Sequence, residues 1–114
     1  IGELNVDAVD GNVIFRGGVR RGDFDCVDAD VTMYLDMAMD LSFDQLNGDV
    51  ELYLSEEITG FSVKMDSLKT EINAEDFEDM HYLDDGSAKW GDGSLRISMD
   101  GLKNKLNIKK LTND

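Results

Sequence analysis

From Val27 to Phe43 every second residue is apolar after the first step. Ala29, Val31, Met33, Leu35, Met37, Met39, Leu41 and Phe43 alternate with Asp30, Thr32, Tyr34, Asp36, Ala38, Asp40 and Ser42. A period of two places one row of side chains on each face of an extended chain. A helix would scatter the same apolar residues around its circumference. The stretch is therefore β, and all eight apolar residues, Met37 and Met39 included, are expected to face inward. At ~3.3 Å per residue the run would reach roughly 50 Å, several times an ordinary strand, so it must bend. It holds no Gly, Pro or Asn from which to build a tight hairpin. Two options remain. One is a long strand that curls, as in a barrel or sandwich. The other is short strands joined by corners that keep the inward parity, the chain coiling onward as a β-solenoid does.

The rest of the chain follows the same logic. Leu4, Val6 and Ala8 alternate against Glu3, Asn5 and Asp7, and Asp10-Gly11-Asn12 reads as a turn. Val13, Ile14 and Phe15, then Gly17-Gly18, then Phe24 and Cys26 suggest short strands punctuated by glycine. Asn47-Gly48-Asp49 is expected to break the chain. Val50, Leu52 and Leu54 form a strand, residues 55–59 a corner, and Phe61, Val63 and Met65 another strand, with Leu68 and Ile72 continuing more weakly. Residues 73–80 are the single helix expected, capped by Asn73, with acidic residues in its first turn and Phe77 and Met80 on one side. Residues 84–87 and 90–93 read as irregular, with Trp90 covering one end of the core. Leu95, Ile97 and Met99 then precede a turn at Asp100-Gly101, followed by Leu106 and Ile108.

A constant offset of forty-five residues aligns Gly48, Val50, Leu52, Leu54, Phe61 and Val63 with Gly93, Leu95, Ile97, Met99, Leu106 and Ile108. Strand, corner, strand at a fixed interval is what stacked coils need. Lys103, Lys105, Lys109 and Lys110 crowd the last twelve residues. Lysine on a terminal strand discourages another chain from adding to it.

At 114 residues the chain is expected to be a single domain, residues 1–114, with a sizeable core. Its formal charge of −14 repels phosphate backbones and anionic headgroups, which argues against nucleic acid and against direct binding to an anionic membrane. Cys26 is the single cysteine, so no internal disulfide or cysteine metal cluster forms, and its phase with Phe24 reads as a small buried hydrophobe. No apolar run is long enough to cross a bilayer as a helix. The chain opens on Ile1 rather than Met, and is expected to be a fragment of a longer protein whose anchor or targeting segment lies elsewhere.

Residues 27–43, 47–60 and 93–102, together with a loop carrying Phe77, Tyr82 and Gly91-Asp92-Gly93, resemble the bacterial toast-rack domains classed with adhesins. The likeness covers most of the chain and rests on glycine and alternation patterns. It implies a right-handed, single-stranded β-solenoid, or β-helix, with short rungs. It further implies an extracytoplasmic setting in the cell envelope and a non-catalytic binding or structural role, adhesin-like or related to envelope stress. The family offers no catalytic residues to carry over. This chain departs from it in its acidity and in lacking proline after Leu54.

Arg21-Gly22-Asp23 is the tripeptide that integrin-binding loops display from a tight turn; without that context it is three common residues. Asp23, Asp25, Asp28, Asp30, Asp36, Asp40 and Asp44 supply hard oxygen donors of the kind Ca²⁺ takes, but neither a twelve-residue calcium loop nor a Gly-Asp nonapeptide repeat organises them. A solvated acidic face is the plainer reading. His81 is the single histidine, which excludes a two-histidine zinc site. Residues 91–95 lack the second glycine of a nucleophile elbow, and no phosphate-binding glycine loop occurs. The methionines on the inward phase read as core filler. No catalytic, cofactor-binding or metal-binding residue is therefore assigned, no cofactor is expected, and an enzyme is not. The expected partner is a protein or cell surface, with self-association through terminal strands a further option. The alternative is a calcium- or carbohydrate-binding β-sandwich in which the aspartates and Trp90 line a site.

Overall fold

In the computed structural model, residues 2–77, 79–82 and 87–111 are described, without the side chains of residues 45–46, 66–70 and 102–104. The expected irregular residues 84–86 lie outside the described residues. Glu3–Leu54 runs extended without a break as β1, 52 residues long. Laid straight it would span roughly 170 Å at ~3.3 Å per residue. The molecule measures 33 × 33 × 25 Å. β1 therefore curls, and it passes over itself every eighteen or nineteen residues. Phe24 stacks on Phe43 and Tyr34 on Tyr53, with ring centroids 4.8 and 4.7 Å apart. The Arg21 N–H donates to the Gly2 carbonyl at 3.0 Å, and the Asp49 N–H to the Asp30 carboxylate at 3.1 Å.

Four further strands follow: β2 (Gly60–Asn73), β3 (His81–Tyr82), β4 (Ala88–Gly91) and β5 (Leu95–Lys110). They complete one mixed sheet in the order β1-β5-β2-β4-β3. β5 lies parallel to both of its neighbours, whereas β4 is antiparallel to β2 and to β3. The fold is thus all-β, a curled mixed sheet. The last long strand slots between the two that precede it: Leu41 faces Ile97, which faces Val63, and Val50 faces Leu106, which faces Ile72.

That insertion corrects two expectations. The forty-five-residue offset is not the stacking register, because Leu52 pairs with Ile108 and not with Ile97. Nor is Lys105 on a sheet edge: it stands between Asp49 of β1 and Glu71 of β2, an electrostatic placement, whereas Lys109 and Lys110 run past the end of β2 and pair in the sheet with β1 alone.

The core is one cluster running through β1, β2 and β5, with Met33, Leu35, Phe43, Val50, Leu52, Phe61, Val63, Leu95, Leu106 and Ile108 fully buried. Each such side chain contributes about 1.5–3 kcal/mol by leaving water. The inward series runs Phe24, Cys26, Ala29, Val31, Met33, Leu35, Ala38, Leu41, Phe43. It advances by two along the flat segments and by three from Cys26 to Ala29, from Leu35 to Ala38 and from Ala38 to Leu41. A step of three reverses the phase, and a second one restores it. Residues 29–35 and 41–43 therefore share an inward phase while the corner between them does not. Met37 and Met39 fall outside, 42% and 50% exposed. The expectation that both face inward is overturned because the tight corner takes the small Ala38 on its inner side.

Glycine bends the chain without breaking it. Gly11, Gly17 and Gly48 have φ of 110°, 128° and 129°, conformations other residues rarely adopt, yet β1 continues through all three. Asp100-Gly101 likewise lies within β5, and Trp90-Gly91 within β4. Among the described residues of 73–80 the expected helix is absent. Asn73 ends β2, and two successive tight turns follow, in which the Phe77 N–H donates to Ala74 and the Met80 N–H to Phe77. Phe77 is the reason: its ring is drawn into an edge-on contact with Phe61 and with Trp90, at 5.1 and 4.6 Å.

Candidate functional site

Because β1 returns over itself in step, its outward residues fall into rows that run across the strands. One row is Arg16, Tyr34, Tyr53, Lys109. The Arg16 guanidinium lies 4.1 Å from the centre of the Tyr34 ring, Tyr34 stacks on Tyr53 at an interplanar angle of 9°, and Lys109 Nζ lies 5.8 Å from the Tyr53 ring. Two aromatic faces are thus closed between two cations. The Tyr53 hydroxyl donates to Glu51 at 3.2 Å. Partial burial, then the nearby Glu51 carboxylate and the loss of that hydrogen bond on ionisation, raise the Tyr53 pKa.

A second row carries Asp40, Arg96 and Ser62 in direct register, with Arg21 one turn before Asp40. Arg96 Nε approaches Asp40 Oδ1 at 3.0 Å, and Arg21 Nε approaches Asp23 Oδ2 at 3.5 Å. Arg21, Asp23, Asp40 and Arg96, with Ser42 and Ser98, line a shallow groove of about 390 Å³. A third row runs from Asn12 and Asp30 to Asp49, which faces Lys105. A neighbouring groove of about 360 Å³ is lined by Asp49, Glu51, Glu75, Asp76, Lys105, Asn107 and Lys109.

The Arg21-Gly22-Asp23 tripeptide sits on the wall of the first groove, in the middle of β1 and not at the tip of a turn. Gly22 is buried, with Leu41 and Phe24 closing the space a Cβ would need. Arg21 and Asp23 emerge on the same side and pair with each other. The splayed presentation expected of an integrin ligand is replaced by an internal ion pair.

The aspartates are spread along the rows. Asp40 is taken by Arg96, Asp30 accepts from the Asp49 N–H, and Asp44 faces Asp100. Among the described residues no group of three or more His, Cys, Asp or Glu side chains is placed to hold a metal ion. Trp90 stacks on Phe61 at 5.6 Å and edges Phe77, so its ring closes the β4 end of the core. Cys26 is buried. Removal from water raises its pKa, opposed by a backbone hydrogen bond at Ala8 and reinforced by Asp25 and Asp7, so its thiol stays protonated at neutral pH. His81 is exposed on the short β3, opposite Lys89.

One further cluster ties the fold at the point where β5 begins. The Thr59 hydroxyl donates to Asp92 at 2.5 Å and the Ser94 N–H to the same carboxylate at 2.9 Å, while the Ser94 hydroxyl donates to the Gly60 carbonyl at 3.3 Å. These donors, Thr59 first, hold the Asp92 pKa below its ordinary value.

Sequence alone does not bring Arg16, Tyr34, Tyr53 and Lys109 into one row, nor join Thr59 to Asp92. A signal for the first is present: Arg16, Tyr34 and Tyr53 are separated by eighteen and nineteen residues, as Phe24 and Phe43 are by nineteen. What the outer face offers chemically is a set of flat, charge-compensated rows. Comparison of the chain with protein-family models, with curated proteins and with solved structures gives no match.

Proposed function

We propose that the chain is a right-handed β-solenoid module of a bacterial cell-envelope protein, extracytoplasmic, which acts by contact with a protein or cell-surface partner and not by catalysis. The observation that carries this reading is the stacking of β1 on itself in step: Phe24 on Phe43, Tyr34 on Tyr53 and Asp30 beneath Asp49, continued by the parallel β5 and β2. A chain wound in this way grows by adding turns, and its outer rows present side chains at the ~4.8 Å spacing of neighbouring strands. Such a surface suits an extended partner recognised along a row of alternating charge. The resemblance to adhesin-type toast-rack domains points the same way.

The test is the location and exposure of the native gene product. Fractionation of cells followed by protease treatment of intact cells is expected to find this domain in the envelope and to cleave it from outside. Recovery with the cytosol, fully protected, overturns the proposal.

A further inference from the structure

We propose that Tyr34 and Tyr53 form a covalent cross-linking site, at which a one-electron oxidant of the class a peroxidase makes from hydrogen peroxide joins the two rings as a dityrosine. The link would staple two successive passes of β1. The proposal rests on the stacking of β1 on itself and not on the envelope setting. The two rings lie 4.7 Å apart with 9° between their planes, so each faces the other across one strand spacing. Both are half-buried, which leaves their edges open to an oxidant and free to pivot. The pair is flanked on both sides within the stack, by the Arg16 guanidinium 4.1 Å from the Tyr34 ring and by Lys109, which pairs with Tyr53 in the sheet. The third tyrosine, Tyr82, stands apart on β3, 60% exposed. With one cysteine, the chain has no internal disulfide by which oxidation could join its turns. The tyrosine pair is placed to do so.

The chemistry has a built-in proton acceptor. The Tyr53 hydroxyl donates to the Glu51 carboxylate at 3.2 Å. A phenol is protonated at neutral pH, so removing an electron from it also releases its proton, and Glu51 stands where that proton goes. Tyr34 gives its own proton to water. Each ring thus loses one electron and one proton to become a phenoxyl radical. The two radicals join by a carbon–carbon bond between ring positions ortho to the oxygens. The two ortho hydrogens then leave those carbons and both phenols are restored. The net loss is two hydrogen atoms, taken by one hydrogen peroxide, which becomes two waters. Proximity favours this pair over any encounter between separate chains, because the fold has already brought the rings together. A covalent tie between the passes restricts the unfolded chain and so raises stability.

The experiment treats the dilute whole chain with a peroxidase and limiting hydrogen peroxide, once folded and once in urea. A protease specific for acidic residues then cuts at Asp36, Asp40, Asp44 and Asp49, all of which lie between the two tyrosines. The folded chain is expected to gain dityrosine fluorescence and to yield the Tyr34 and Tyr53 peptides joined, two hydrogens lighter than their sum. The yield is expected to exceed that in urea at least about tenfold, a comparison that needs no variant to fold. Tyr34→Phe and Tyr53→Phe each keep a ring in the stack and are expected to abolish the link, whereas Tyr82→Phe is expected to leave it unchanged. Glu51→Gln is expected to slow the coupling severalfold, and an unchanged rate overturns the role given to Glu51. A yield no higher than in urea, a link that survives Tyr34→Phe, or coupling confined to Tyr82 between chains overturns the site itself.

Discussion

The Thr59 hydroxyl donates to the Asp92 carboxylate at 2.5 Å, joining the turn that leads into β2 to the turn that leads into β5. Two segments thirty-three residues apart are clamped at the place where β5 starts back between β1 and β2. The Asp92 pKa is held low by this bond and by Ser94, so the folded state favours the ionised carboxylate. The sign follows: stability from Asp92 is present above the ordinary carboxyl pKa of about 3.9 and is lost as pH falls through the lower folded value. Asp92→Asn is expected to melt below wild type at pH 7, with the gap closing as the pH drops below about 4. Melting curves across that range check it; a gap that does not depend on pH contradicts it.

The same crossing leaves no room for side chains. A Cβ on Gly60 would collide with the Asp92 backbone, and one on Gly91, at φ 62°, with the Thr59 carbonyl. Gly60→Ala and Gly91→Ala are each expected to cost more than about 2 kcal/mol, because backbone and not a flexible side chain must give way. Denaturant unfolding that finds either variant within about 0.5 kcal/mol of wild type, the range of ordinary surface changes, contradicts the close packing of these two turns.

Met33 and Met39 lie on opposite sides of the same stretch of β1. Met33 is fully buried and Met39 is half exposed. Met33→Ala is expected to destabilise by about 2–5 kcal/mol, and Met39→Ala by less than about 0.5 kcal/mol. Brief peroxide treatment followed by peptide mass spectrometry is expected to oxidise Met37 and Met39 well before Met33 and Met99. Equal rates at Met33 and Met39 contradict the corner at Ala38.

These methionines also mark how far the sequence carries. Residues 29–35 and 41–43 face inward as their alternation requires, because over a flat segment the pleat alone decides the side. The corner at residues 36–40 is invisible in the pattern, since it is made by two steps of three and by the size of Ala38, with no glycine or proline to announce it. The insertion of β5 is hidden for a different reason. Its partners lie fifty-six residues before it in β1 and thirty-four in β2, as with Leu41, Ile97 and Val63, and no local signal reports on pairing at that range. What could have hinted at it is charge: Arg96 and Lys105 of β5 face Asp40, Asp49 and Glu71 of its neighbours. The expected helix fails because capping and acidic first-turn signals at Asn73 are weaker than the pull of Phe77 toward Phe61 and Trp90.

Arg21-Gly22-Asp23 lies flat in β1 with its two charges paired at 3.5 Å on an exposed surface. Integrin-bearing cells are expected to adhere equally to immobilised wild type and Asp23→Glu. Loss of adhesion in the variant contradicts the assignment of this tripeptide to the sheet. Asp40→Ala, which breaks the Arg96 pair on the same face, is expected to cost no more than about 1 kcal/mol, as exposed ion pairs do.

The placement of β5 between β1 and β2 is the claim on which the fold and the proposals rest, and amide-to-amide contacts in a deuterated sample test it most directly. Ser98 is in register with Ser42 on one side and Lys64 on the other. Nuclear Overhauser contacts are expected from the Ser98 segment to both, with none between Ser42 and Lys64, which stand two strand spacings, roughly 9–10 Å, apart. Direct contacts between the Ser42 and Lys64 segments, with Ser98 touching only one of them, would contradict it.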